Sequence, residues 1–227
     1  VTGWRPVVAS LEGRFVSASN ATFLGTTVAG DVVVYKPAAG ERPLWDFPAE
    51  SLAPREVLTY AMSEAMGLGV VPETALGEGP FGEGSVQRYV DIDEAFDPIR
   101  MLRDDPDALW PVALLDIVTN NADRKLGHIL RTTSGSLTAI DNGLTFHVED
   151  KLRTVLWHLE GRRMPDVLVA ALEGAVAALA GPLGDEIEAL PGGGARTATR
   201  RRIERLLRHP VHPPPPDDRP ALPWPPY

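Results

Sequence analysis

Asp116-Ile117-Val118-Thr119-Asn120-Asn121-Ala122-Asp123-Arg124-Lys125-Leu126-Gly127-His128-Ile129-Leu130 is the stretch on which the reading of this chain turns. A polar knot, NNADRK, lies between an apolar segment that predicts a buried helix over 107–118 and an apolar strand that predicts residues 128–131. A structured polar loop between two buried elements is where a rigid scaffold displays chemistry. Asp123 can accept a hydrogen bond from an incoming hydroxyl. His128, five residues on, is placed to bind a metal or a phosphate. The competing reading pairs Asp123 with Arg124 or Lys125 in a surface turn.

Three further segments line up with this one. Downstream, Ala139-Ile140-Asp141-Asn142-Gly143-Leu144-Thr145-Phe146 sends a carboxylate out of an apolar strand into Asn-Gly, a position that can hold a hard cation such as Mg²⁺, although a plain turn has the same sequence. Upstream, Val32-Val33-Val34-Tyr35-Lys36 is a β-branched run that stops at Pro37. A lysine ending such a strand can reach into a cleft and pair with phosphate if a carboxylate holds it. Glu56 on the following helix is the natural holder, Glu64 its competitor, and solvent the alternative for Lys36. Ser17-Ala18-Ser19-Asn20 falls at the first hairpin turn, where small residues let backbone N–H groups approach phosphate and the hydroxyls of Ser17 and Ser19 add donors. An ordinary turn explains that segment equally. Phosphoryl transfer requires a phosphate cradle, a cation, metal-holding carboxylates and a group that orients the nucleophile, and the four segments offer one candidate for each.

Strands are expected over 13–17, 21–28, 32–36 and 85–90, with a short pair over 128–131 and 137–140. A helix starting near Pro54 carries the stripe Val57, Leu58, Ala61, Met62 and Ala65 and ends at Gly67 and Gly69. Beyond residue 150 the chain reads as helical over 167–180 and 196–208. From Pro210 onward it is mostly proline, which predicts an extended, unpacked tail. Asp91-Ile92-Asp93 reads as a solvated turn. His147, His158, His209 and His212 lack metal-ligand spacing and read as surface or core-edge residues. Trp110 and Trp157 read as packing residues. The basic face Arg200, Arg201, Arg202, Arg205 and Arg208 reads as a helix salt-bridged to an acidic body.

Composition removes whole classes of function. There is no cysteine, hence no disulfide, thiol nucleophile or cysteine zinc site. The net charge of −9 works against broad attraction to nucleic acid or anionic lipid, so neither partner is expected. No apolar run approaches a bilayer-spanning length, and a cytoplasmic location is the expectation.

VVVYKP, REVLTYAMSEAMGLG, VQRYV, NNADRKLGHIL and AIDNGLTF, in that order, resemble the atypical kinases of the phosphatidylinositol 3-/4-kinase-like group, including bacterial HipA-like kinases, with a compact actinobacterial subfamily the nearest match. The resemblance covers residues 11–150. It implies an α+β, two-lobed protein-kinase-like fold: an antiparallel-sheet N-lobe over 1–90, a mainly helical C-lobe over 91–209 and a disordered proline-rich tail over 210–227. ATP would be the nucleotide. Lys36 would contact its phosphates, Glu56 would pair with Lys36, and Gln87, Arg88 and Tyr89 would form the hinge, where backbone groups of Gln87 and Tyr89 read the adenine edge. Asp123 would be the catalytic aspartate and Asp141 the metal-binding one, with Asn121 bracing the loop. Two departures matter: Lys125 stands where such kinases carry histidine, and His128 where they carry a metal-binding asparagine. Imidazole is the softer ligand, so Mn²⁺ is expected to serve at least as well as Mg²⁺. The implied function is an ATP-dependent phosphotransferase acting on a hydroxyl of a protein, a small molecule or itself. An AMP transferase and a non-catalytic nucleotide-sensing module are the alternatives.

Overall fold

A computed structural model describes residues 3–16 and 20–227. The expected phosphate cradle at Ser17 and Ser19 lies outside those residues; of that turn only Asn20 is described. The first part of the chain is a five-stranded antiparallel sheet in the order β1-β2-β3-β5-β4. Its strands are β1 (Val8–Arg14), β2 (Phe23–Thr27), β3 (Val32–Pro37), β4 (Thr74–Gly79) and β5 (Gly82–Arg88). Helix α1 (Leu52–Ala65) enters between β3 and β4 and packs on the sheet.

The alternation of β3 fixes the site. Side chains of a strand alternate between faces, so Val33 and Tyr35, both fully buried, point into the small sheet core with Val8 and Val86. Lys36 then faces the other way, toward α1. Gly84 on β5 lies opposite Pro37, where a Cβ would meet the Lys36 carbonyl oxygen at 2.2 Å; only glycine lets the strands close there.

The second part is mainly helical: α2 (Pro98–Asp104), α3 (Trp110–Thr119), the β6–β7 hairpin (Ile129–Arg131 and Leu137–Ala139), α4 (Asp166–Ala180), α5 (Pro182–Glu188) and α6 (Ala195–Arg208). Its core is continuous with the inner face of α1: Leu58 and Met62 join Trp110, Leu114, Phe146, Leu172 and Ile203 in one apolar cluster. Burial of this kind is the dominant favourable term in folding. The fold is the expected two-lobed, kinase-like α+β arrangement. Among the described residues no single helix is long and apolar enough to cross a membrane.

Several elements depart from expectation. Strand β1 starts at Val8 rather than Gly13, and β4, hidden in a glycine-containing loop, pairs fully with β5. The helix expected over 107–118 begins only at Trp110, after a 3-10 turn over Pro106–Leu109, with Pro111 in its first turn, one of the two places a helix proline can take. The proline-rich tail does not hang free. The His212 N–H donates to the Arg162 carbonyl at 3.1 Å, and the Ala221 carbonyl accepts from Thr154 N–H at 3.2 Å and from the Trp157 indole at 2.9 Å. His212, read as a surface or core-edge residue, is buried edge-on between Trp110 and Trp157. A polyproline segment has few backbone donors of its own, but its carbonyls accept from a neighbouring surface, and that is how this one is fastened.

Candidate active site

Lys36 Nζ sits between two carboxylates, 2.6 Å from Glu56 Oε1 and 2.9 Å from Asp141 Oδ1. Glu56, not Glu64, is therefore the holder. Burial alone would lower the lysine's pKa, but the negative fields of Asp141 and Glu56 outweigh it and carry the pKa above its ordinary value. The other Glu56 oxygen accepts the backbone N–H of Asn142 at 3.1 Å, which binds α1 directly to the segment after β7. The α1 N-terminus is capped from outside: Glu41 Oε1 accepts the N–H groups of Leu52 and Ala53, each at 3.1 Å.

Asp141 adopts a left-handed backbone, φ 58°, a strained region that aspartate tolerates better than most residues. Its carboxylate takes Lys36 on one oxygen and His128 Nε2, at 3.3 Å, on the other. The nearby Lys36 ammonium holds it well below the usual carboxylate range. Burial lowers His128 to about 4, so its imidazole is neutral near pH 7. Its Nδ1 faces the Lys125 N–H at 3.5 Å, which assigns the remaining proton to Nε2, facing Asp141.

Asp123 lines the same cleft of about 340 Å³ as Lys36, Glu56 and Asp141. Its carboxylate is 3.1 Å from Lys125 Nζ. The pairing with Lys125 that the sequence left open thus exists, but in the cleft rather than in a surface turn. Burial raises Asp123 above its ordinary value, with Lys125 opposing. The Asp123 N–H donates to Asn121 Oδ1 at 2.9 Å, so Asn121 does brace the loop.

Beneath the cleft lies a network that sequence reasoning missed. Arg124, fully buried, donates to both oxygens of Asp116 at 2.9–3.1 Å, to the Ile140 carbonyl at 2.8 Å and to Asn142 Oδ1 at 2.6 Å. Asn121 Nδ2 adds a bond to Asp116 at 3.0 Å. One guanidinium therefore fixes the loop of Asp123 to the segment of Asp141. The signal was present: a lone aspartate inside the apolar helix Trp110–Thr119 has to be buried, and a buried carboxylate requires a partner. Arg55 is a second such brace, buried under Phe47 at 5.0 Å and donating to the Thr145 carbonyl.

The remaining candidates are held by contacts of their own. The Gln87 side chain donates to Thr74 Oγ1 at 2.9 Å inside the sheet. The Tyr89 N–H donates to the Val32 carbonyl at 3.0 Å, which engages the donor assigned to a nucleotide edge. Asn20 reaches the cleft and accepts the Arg42 N–H at 2.9 Å. Asp93 pairs with Arg131 at 2.6 Å, a structural turn as expected. Arg202 and Arg205 both pair with Asp150, as read for the basic helix. Among the described residues no group of three or more His, Asp or Glu side chains is gathered tightly enough to hold a metal alone. Asp141 and His128 supply two donors, a set that suits a cation completing its shell with phosphate oxygens and water.

This fold is that of kinases. The Helicobacter pylori proinflammatory kinase CtkA superposes with a TM-score of 0.53 at 10% identity, over 92% of this chain and 94% of that one. A Golgi casein kinase solved with Mn/ADP bound aligns at a TM-score of 0.46 and 14% identity, over 90% of this chain and 71% of that one. No family model matches the sequence. Protein Rv2133c of Mycobacterium tuberculosis is 38% identical over 251 residues, covering 94% of this chain and 90% of that protein. The chain belongs to the Rv2133c family.

Proposed function

We propose that this protein is an ATP-dependent phosphotransferase, a compact HipA-like member of the phosphatidylinositol 3-/4-kinase-like group that acts in the cytoplasm. The observation that carries the reading is the placing of Lys36 between Glu56 and Asp141, with Asp123 across the same cleft. In this reading the nucleotide lies between an N-lobe of residues 1–90 and a C-lobe of residues 91–209. Lys36, oriented by Glu56, neutralises the phosphates. Asp123 takes the proton of the acceptor hydroxyl as its oxygen bonds to the γ-phosphorus and the bond to the bridging oxygen breaks. Its raised pKa makes it a better proton acceptor than an ordinary aspartate. Lys125, beside Asp123, balances charge on the transferred group. Asp141 and His128 would hold Mn²⁺ or Mg²⁺, which when bound neutralises phosphate charge and orients the leaving group.

The test is incubation of the purified protein with labelled ATP and either cation, resolving all products. ADP, with label on an acceptor, on the protein itself or released to water, is the expected result. Pyrophosphate would make it an AMP transferase. Calorimetric nucleotide binding without turnover under any metal would make it a sensing module.

A further inference from the structure

The outer rim of the cleft carries apolar surface that the triphosphate chemistry leaves unused. Trp224 of the tail lines the cleft and is 87% exposed, and Leu44 lines it from the loop after β3. Beside Leu44, Trp45 is 91% exposed. The backbone that carries each indole is fastened. The tail is pinned on both sides of Trp224: the Ala221 carbonyl accepts from Thr154 and Trp157, and the Pro226 carbonyl accepts the Leu126 N–H at 2.9 Å. Leu126 lies in the very loop that carries Asp123. Trp45 lies against Lys151 Nζ, 4.5 Å from its ring centre. A large aromatic side chain displayed in water from a fastened backbone is a common anchor of a binding surface.

Charge at the rim is equally specific. The cleft's acids are engaged: Asp123 by Lys125, Asp141 by Lys36 and His128, Glu41 by two backbone amides. Two of its arginines are not. Among the described residues neither Arg42 nor Arg153 forms an ion pair; Arg153 donates its Nε to the Ala122 carbonyl at 2.7 Å and reaches Asp123 only through its field. In a chain of net charge −9, unpaired arginines at a cleft mouth complement an anionic ligand.

Resting on the phosphotransfer reading, we infer that this rim docks an acidic polypeptide segment and presents its serine, threonine or tyrosine hydroxyl to Asp123. A small anionic alcohol would satisfy the arginines but leave both indoles in water, because they come from separate segments and extend beyond a cleft of about 340 Å³. A peptide has side chains on both sides of the reacting hydroxyl to cover them. The γ-phosphoryl passes to the hydroxyl oxygen, the proton goes to Asp123, and ADP leaves with the electron pair of the broken bond.

The experiment uses the full chain, γ-labelled ATP and Mn²⁺, with three peptides of equal length whose central serine is flanked by Glu, Gln or Lys. Glycerol 3-phosphate serves as a small anionic alcohol. The Glu-flanked peptide is expected to show a kcat/KM at least tenfold above the Lys-flanked one. Trp224→Ala, at an 87% exposed side chain, should raise peptide KM about tenfold, and Trp224→Phe should restore most of it. Arg153→Glu should narrow or invert the preference for acidic flanks, which a merely structural arginine would not do. Equal use of the three peptides, transfer to glycerol 3-phosphate alone, or a charge preference untouched by Arg153→Glu overturns the docking surface. Absence of ADP with every acceptor, water included, defeats the transfer reading beneath it instead.

Discussion

Arg124→Met tests the frame on which the cleft is built. The side chain is 0% exposed, its partner Asp116 is 1% exposed, and the guanidinium also satisfies the Ile140 carbonyl and Asn142 Oδ1. Removing it leaves a buried carboxylate with Asn121 as its remaining side-chain donor and strips a buried acceptor, Asn142 Oδ1, and a part-buried one, the Ile140 carbonyl. Breaking a buried pair by deleting one partner costs about 3–5 kcal/mol, a large share of the roughly 5–15 kcal/mol that holds a domain folded. Adding Asp116→Leu removes the uncompensated charge and should return about 1–3 kcal/mol; what remains is the cost of the two orphaned acceptors, about 1 kcal/mol each, the low end of the usual range. Urea denaturation of the wild type, both single variants and the double variant closes the cycle. A pH arm follows from the same charge. Burial already raises Asp116 above its ordinary value, so its ionisation opposes folding, and the favourable contribution present at low pH is lost as pH rises through the folded pKa. In Arg124→Met the lowering influence of the guanidinium is gone and the Asp116 carboxyl rises further than in the wild type, so the variant takes up its proton at higher pH and the deficit should shrink as pH falls from 8 to 5. Additive single costs, or a loss below about 1 kcal/mol for Arg124→Met, would refute the idea that the pair acts as one unit.

Asp123→Ala should cut phosphoryl transfer by roughly 10²–10⁴ while calorimetry still finds nucleotide binding. Because burial raises Asp123, the acid limb of the kcat/KM profile should fall above the ordinary aspartate value; a limb at or below that value would remove Asp123 as the base. Lys36→Ala and Asp141→Asn should each weaken nucleotide binding, Asp141→Asn the more strongly when the divalent cation is present. His128, depressed from 6.5 to about 4, contributes stability that is present above 6.5 and lost as pH falls toward 4, so the wild type should lose about 2 kcal/mol more than His128→Asn between pH 7 and pH 5 in urea denaturation. Mn²⁺ should support turnover at least as well as Mg²⁺ at matched free metal; Mg²⁺ far ahead would argue against His128 as a ligand.

The segments legible in the sequence were those where one local rule sufficed. Val32–Lys36 announced itself by β-branching and a terminal proline, and strand alternation then sent Lys36 to the face opposite Tyr35. Helix α1 was bounded by Pro54 and by Gly67 and Gly69, both with positive φ in the structure. What stayed hidden depended on distant pairing. Strand β4 is rich in glycine and gains its order from β5, which supplies a partner for every residue. The Asp116–Arg124 pair is eight residues apart across a left-handed turn at Asn120, φ 59°, a geometry that spacing alone does not reveal. The tail was misread because composition reports what proline cannot do for itself, not which surface donates to its carbonyls.

In the arrangement described, the lysines and the acids of the cleft already have partners within the protein, although Arg42 and Arg153 at its mouth form no ion pair among the described residues. Lys36 is shared by two carboxylates, and Asp141 is claimed on one oxygen by Lys36 and on the other by His128. A phosphate that drew Lys36 away would leave Asp141 with the weak hydrogen bond of a neutral imidazole. A cation that drew Asp141 away would leave Lys36 with Glu56 alone. Either exchange by itself strands a partly buried charge, whereas both together restore the pairing. On the proposed reading Lys36 would turn to a phosphate at low cost only when Asp141 found a cation, and the reverse would hold equally. On that reading Glu56 would make the exchange directional: its second oxygen is committed to the Asn142 N–H, so it would stay as the fixed support while Asp141, on a strained left-handed backbone, would be the group that moves.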